Sequence, residues 1–455
     1  MSLTIGTTPD TINAAYNPVL FILTSNRDDN AAKANSALAD NGSGYCRFTF
    51  ATPHTLFVGD VVTGSSYSNS ALNVDMTITA KTSTTIDVSL AYVAGYSGLT
   101  GTITRLNANF QVKAEITVGS TLVATVSKKG VTISSVESYR YDISRFIADQ
   151  LSCDIEDIGS AASIVSDSTP NGIKDFEVTF TEQFDDIDGI LTDGDDITSS
   201  TYYGVNAALQ PNVDQDLDDY ILGDSAKKFL SHMPTTQQID VDEEIQFTFL
   251  SNAAEQRLAY QTYNLAGVAD SVVYSGKVTI NDKKGIAIIN STHFGATKSR
   301  IDVWIVHDTT TVAHSETIRL NIKNQPRDLN TRLVFLNSLG GFDWFTFTRK
   351  ESVKQSIKRS FFMKDKGYSF TRADRGQTTT NVQSEIVTSL WSRIFNDAEG
   401  LWLQELYDSI EVFRLDTVYV SIIVINKTHG IKTTAQLKQA YVEYVESNKK
   451  VKQYN

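Results

Sequence analysis

Residues 110–118 read FQVKAEITV, in which Phe110, Val112, Ala114, Ile116 and Val118 alternate with Gln111, Lys113, Glu115 and Thr117. A period of two sends alternate side chains to opposite faces, so the segment reads as a β-strand with one buried and one wet face. Similar runs rich in Val, Ile, Thr, Phe and Tyr recur about every 8 to 12 residues between Gly, Asn, Asp and Ser. Those at 18–25 (PVLFILTS), 176–181, 245–250, 272–280, 301–307 and 316–322 are the clearest. The expected fold is therefore mainly β: several β-sandwich or small-barrel domains in series, with a C-terminal α+β domain.

Helical spacing stands out in two places. Residues 137–152 (ESYRYDISRFIADQLS) place Ile143, Phe146, Ile147 and Leu151 on one face, with Asp142 or Ser144 near the start, which predicts a helix. Asn396-Asp397-Ala398-Glu399 has capping-box spacing before LWLQELYDS, whose Leu401, Trp402, Leu403, Leu406 and Tyr407 need burial.

A chain of 455 residues is expected to divide into about three domains. Residues 45–106 are rich in Ser, Thr and Gly and read as a small β module inserted into a discontinuous N-terminal β-rich domain, 1–44 and 107–232. The flanking strands 18–25 and 110–118 are expected as neighbours in one sheet. Pro234 opens 233–326, an immunoglobulin-like β-sandwich by strand spacing. Past Pro326 comes a C-terminal α+β assembly domain, 327–455, in which Gly340-Gly341 makes a turn between aromatic strands and 411–415, 418–425 and 439–446 are further strands.

Composition narrows the function. Hydrophobic residues make up 41%, a soluble globular value, and no run approaches the ~18 apolar residues of a membrane span. Residues 1–10 lack the basic start and apolar core of a secretory signal, so synthesis in a cytoplasm is expected. A net charge of -13 argues against coating nucleic acid, which needs clustered Lys and Arg. The charge is uneven: residues 327–455 hold 19 basic and 14 acidic residues, leaving the preceding 326 residues with an excess of 18 acids. Either these are two separately solvated surfaces, or an acidic body attracts the basic C-terminal region of a neighbouring copy.

Signatures of chemistry are sparse. Cys46 and Cys153 are far apart and read as free structural thiols, and His54, His232, His293, His307, His314 and His429 show no metal-binding spacing. No nucleophile elbow, Walker loop or dinucleotide fingerprint occurs, so no catalytic residue, cofactor or metal is assigned. The acidic run Asp185, Asp186, Asp188, Asp193, Asp195 and Asp196 lacks the EF-hand order and reads as a solvated loop, with a calcium loop or a docking surface for a basic partner as alternatives. Residues 349–375 (RKESVKQSIKRSFFMKDKGYSFTRADR) carry nine basic and three acidic residues with interleaved aromatics. They read as a long hairpin or arm docking on a neighbouring subunit, with Arg349, Lys350, Lys354, Lys358, Arg359, Phe361, Phe362, Tyr368, Arg372 and Arg375 as interface candidates. Nucleic-acid binding is the competing reading of this stretch.

Some segments resemble known proteins. ATPHTLFVGDVVTG (51–64), the run 76–79, TSTTIDVSL (82–90) and GTIT (101–104) resemble a small β module of phage tail, fibre and baseplate proteins, with Tyr67-Ser68-Asn69 where that module carries a Tyr-Asn-Gly type of loop. NPVLFILTSNR (17–27), YRYDISRFIADQLS, RLVFLNSLGGFDWFTFT (332–348), RGQTTTNVQSE (375–385) and the closing ELYDSIEVFRL and VSIIVINKTHGIKT resemble virion proteins of tailed phages and prophages of the Bacteroidetes group. The closing domain resembles ring-forming distal tail proteins. The resemblance implies a non-enzymatic structural subunit of a tail, baseplate or neck ring, made in the host bacterial cytoplasm and carried in the virion. Its expected partners are copies of itself in a ring and other virion proteins, with no membrane. One alternative is a host-attachment module contacting a host surface through Tyr45, Tyr67, Tyr92 and Tyr96; another is a polysaccharide-degrading tail enzyme.

Overall fold

A computed structural model of the chain describes residues 3–28, 31–107, 109–133, 136–152, 155, 164–166, 171–210, 216–223, 225–241, 243–252, 255–280, 283–295, 297–307, 312–323, 331–363, 371, 377–416, 418–426 and 438–448. The fold is mainly β, with 58% strand and 8% helix. It divides into two compact units, residues 1–152 with 173–206, and residues 153–172 with 207–455.

The first unit contains a sandwich. One sheet runs Leu3–Thr7, Leu20–Ser25, Val136–Asp142, Val131–Ile133. The other runs Thr121–Lys128, Gln111–Val118, Ile173–Asp185, Tyr202–Val205, Ile12–Ala14, with Leu191–Thr198 also on Ile173–Asp185. Val112, Ala114, Ile116 and Val118 are buried against Phe21, Leu23, Tyr139 and Tyr141 in one core, so the alternation of 110–118 is the inner face of a sheet. Two expectations are corrected here. The strands around Leu20 and Val112 belong to opposite sheets and meet through their side chains. Only Ser144–Ala148 of 137–152 is helical, because Tyr139 and Tyr141 pair with Leu23 and Phe21 as strand residues. The Tyr141 hydroxyl donates to the Val112 carbonyl, bonding one sheet to the other, and Asp142 Oδ1 accepts from Ser144 N (3.1 Å) just before the short helix.

A closed six-stranded barrel sits within the same unit: Lys33–Asp40, Tyr45–Phe50, Thr85–Ala91, Asp75–Lys81, Val61–Ser65, Thr102–Arg105. Closure leaves no free edge, and Phe48, Leu72, Ile78, Ile86 and Ile103 fill the interior. A buried ionic cluster fastens the barrel to the sandwich. Asp60 of the barrel meets Arg27 Nε at 2.9 Å and Arg105 Nε at 2.8 Å, and Arg27 reaches Glu182 of the sandwich at 3.3 Å. All four side chains are at most 3% exposed. The Arg27 guanidinium lies between Phe57 and Phe184, 5.1 Å from each ring centre. Arg105 also donates to the carbonyls of Asn26 (2.9 Å) and Thr55 (2.5 Å), and Ser25 Oγ donates to Glu182 (2.5 Å). Buried charges persist when they are paired, and each guanidinium here faces at least one carboxylate. A Cβ on Gly194 would lie 2.3 Å from Arg27 Nη1, so the cluster leaves no room for a side chain there.

In the second unit, two sheets share one core. They run Ile164–Ser166, Lys284–Ile289, Ile245–Ser251, Ile221–Leu222, and Thr236–Asp240, Ile318–Lys323, Lys298–His307, Glu255–Asn264, Val273–Tyr274, with Val278–Thr279 also on Glu255–Asn264. Phe247, Phe249, Leu258, Ile301, Val303 and Leu320 lie between them. A seven-stranded antiparallel sheet follows: Phe342–Phe347, Thr331–Leu336, Val412–Leu415, Tyr419–Val424, Lys438–Glu446, Gln377–Phe395, Lys350–Met363. The helices Asp397–Trp402 and Gln404–Asp408 bury Trp402, Leu403 and Leu406 against it. Asn396 and Glu399 form the expected capping box. The Gly340-Gly341 pair does make the turn: Asn337 Oδ1 accepts from Leu339 N and Gly341 N, and a Cβ on Gly341 would meet the Leu230 carbonyl at 2.6 Å.

Candidate functional site

Lys350–Met363 pairs with Gln377–Phe395 from Lys350 opposite Trp391 to Met363 opposite Gln377. The neighbouring strand Lys438–Glu446 backs this hairpin only from Thr388 to Phe395. From Lys354 outward the hairpin is thus a ribbon with no third strand among the described residues, and every residue from Val353 to Met363 is exposed. At ~3.3 Å per residue it extends roughly 35 Å.

The register sorts its two faces. Directly opposed residues share a face, so Val353, Gln355, Ile357, Arg359 and Phe361 lie with Thr388, Ile386, Ser384, Val382 and Thr379. Lys354, Ser356, Lys358 and Ser360 lie on the other face, with Val387 and Glu385 opposite the first two. One face therefore carries an apolar stripe of Val353, Ile357, Ile386 and Phe361 interrupted by Arg359, while the other carries Lys354 and Lys358 between Val387 and Phe362. Toward the tip Phe361, Phe362 and Met363 are 59%, 57% and 73% exposed. A two-stranded ribbon is marginal alone in water, and a contiguous exposed apolar surface marks an interaction site.

Of the candidates named from sequence, Lys354, Lys358, Arg359, Phe361 and Phe362 stand on this ribbon, and Arg349 and Lys350 at its root, where Lys350 Nζ lies 5.4 Å above the Trp391 ring. Tyr368, Arg372 and Arg375 lie outside the described residues.

The acidic run forms another hairpin, Ile173–Asp185 with Leu191–Thr198. Its carboxylates serve separate structural partners: Asp185 accepts from Asn109, Asp193 from Lys113 and Gln183, and Asp195 approaches Arg27. Asp186 Oδ1 accepts from Asp188 N and Ile190 N and shapes the turn, in which Gly189 takes φ +75°. Among the described residues no three His, Cys, Asp or Glu gather where they could hold a metal. The tip leaves Ile187, Ile190 and Leu191 exposed beside Asp188.

The tyrosines of the attachment reading do not form one surface. Tyr67 and Tyr96 are buried in the barrel, Tyr67 donating to Asn35 Oδ1 at 2.8 Å, whereas Tyr45 is exposed. The histidines are equally dispersed: His54 packs on Phe50, His232 bonds Glu405, His293 bonds within the turn after Asn290, and His307 faces His314; His429 lies outside the described residues. The Cys46 thiol is buried, which pushes its pKa up to about 11, so it is an unreactive thiol at neutral pH; Cys153 lies outside the described residues.

Sequence reasoning missed one ionisable group. Asp343 is buried and accepts from Trp402 Nε1 (2.6 Å) and Ser231 Oγ (2.9 Å). Burial, and secondarily the charge of Glu405, raise its pKa to about 7. A solvent-open cleft of about 670 Å³ nearby is lined by Trp344, Arg393, Trp402, Gln238 and Glu243, and Asp343 does not line it. Asp343 therefore bonds the helix at Trp402 to the segment at Ser231. No helix among the described residues is long and apolar enough to cross a membrane.

Compared with known proteins, the chain matches no protein-family model and no curated protein.

Proposed function

We propose that this chain is a non-enzymatic structural subunit of a tailed-phage virion, in its tail, baseplate or neck ring, and that it assembles with copies of itself through the ribbon of 353–363 and 377–387. The single observation carrying the assembly half is that ribbon: two strands without a third among the described residues, exposed from Val353 to Met363, with an apolar stripe on one side and lysines on the other. A strand pair of this length is stabilised once another surface covers it. The virion setting draws on the resemblance of 45–106 and of the flanking segments to phage virion proteins. Several small β units in series, one clamped to its host by a buried ionic cluster, suit a part that must hold its shape in a particle.

The setting is tested by quantitative mass spectrometry of purified phage particles. The reading expects the chain in every preparation at a fixed multiple of a known ring component. Absence from washed particles, with the chain present in the infected cell, would contradict it.

A further inference from the structure

Resting on the reading just given, we infer that the ribbon's partner surface is the acidic hairpin tip, residues 185–191, of a second copy of the chain. What the ribbon requires follows from its make-up. Its apolar face needs exposed aliphatic side chains, and Arg359 within that face, with Lys354 and Lys358 behind it, needs carboxylates. Among the described residues none of these three cations forms an ion pair within its own chain.

The tip at 185–191 offers both requirements together. Ile187, Ile190 and Leu191 are 47%, 62% and 46% exposed. Asp188 is exposed and makes no side-chain bond among the described residues, and the flanking Asp185, Asp186, Asp193, Asp195 and Asp196 add to the negative field. The turn is held in shape by Asp186 and Gly189, so little ordering cost attends docking.

A second exposed aliphatic tip fits less well. Leu265 and Val268 are also bare, but the adjacent carboxylate, Asp270, is already engaged by Lys298 at 2.5 Å and by Thr262. Opposite potentials on two faces of one chain steer copies together and set their register. Because ribbon and tip are different surfaces, the contact is head-to-tail, and head-to-tail contacts close into rings when the rotation per copy allows.

The test is a charge exchange in the full-length chain, read by sedimentation velocity at low salt. Arg359→Glu with Lys358→Glu should weaken self-association at least ten-fold. Asp188→Arg with Asp186 intact should do the same, and combining the two sets should restore most of the association. Circular dichroism of each variant must match the unaltered chain, since all these sites are exposed. Dissociation by the ribbon variant with no effect of Asp188→Arg would overturn the tip as partner while leaving ribbon-driven assembly intact. Insensitivity to both would overturn the assembly reading as well.

Discussion

Asp60 accepts ion pairs from Arg27 and Arg105 and a backbone bond from Phe57 N (2.8 Å) with no exposure to water. Removing Asp60 takes away a carboxylate that two buried guanidinium groups share and leaves Glu182 alone against Arg27, so Asp60→Ala should cost about 3–5 kcal/mol. Urea unfolding followed by fluorescence, with the first unit's transition moving to lower urea, checks this. The VGD turn that carries Asp60 is visible in the sequence as a motif. Its partner Arg27 is not, because the pair joins residues on two sides of a junction that no local periodicity reports. Asp343 belongs to the same scale. Its pKa rises from 3.8 in the unfolded chain to about 7 in the fold, first by burial. The folded state thus holds the proton more tightly: this stabilisation is complete below about pH 4 and is lost as pH climbs through about 7, an effect of roughly 4 kcal/mol. Asp343→Asn should flatten the dependence of stability on pH between those limits, measured by thermal melts across a buffer series. An unchanged slope would assign the titration elsewhere.

Among the elements, the exposed ribbon carries Val353, Ile357, Phe361 and Phe362 outside every core. Replacing residues 353–388 by an Asn-Gly turn keeps Ser352 opposite Ser389, a register two residues can close. The remaining sheet should melt within a few degrees of the parent, while self-association falls. Ile357→Asp with Phe361→Ser should leave folding nearly unchanged, since exposed substitutions typically shift stability by less than about 0.5 kcal/mol, and should reduce association equally. The basic and aromatic run at 349–375 made an arm legible from sequence, and the alternation of Val353 and Ile357 is readable once a strand is assumed. The return strand was not legible as such, because QTTTNVQSE carries little apolar patterning. At 137–152 the same ambiguity misled. Ile143, Phe146 and Ile147 have helical spacing, yet Tyr139 and Tyr141 alternate, and a waiting sheet partner at Phe21 and Leu23 decided for strand. By contrast, the capping box at Asn396 and the strand at 111–118 formed as written, because their signals are local.

At the scale of the molecule, the described residues of a mainly β chain form a closed barrel, two sandwich cores and a final sheet ending in a long exposed ribbon. The charge asymmetry read from sequence, acidic before residue 327 and basic after it, has a physical counterpart in the acidic tip at 185–191 and the cationic ribbon. The class of fold was legible because period-two patterning is a property of each strand. Which strands share a sheet was not, since that depends on long-range pairing that no single segment encodes. If the account holds, association weakens with salt, as screening shortens the reach of exposed charges. The measurement that tests it most directly is the molar mass of the full-length chain by light scattering over a concentration series, beside the variant lacking 353–388. A discrete multimer is expected for the first and a single-chain mass for the second. Equal masses for the two would contradict it.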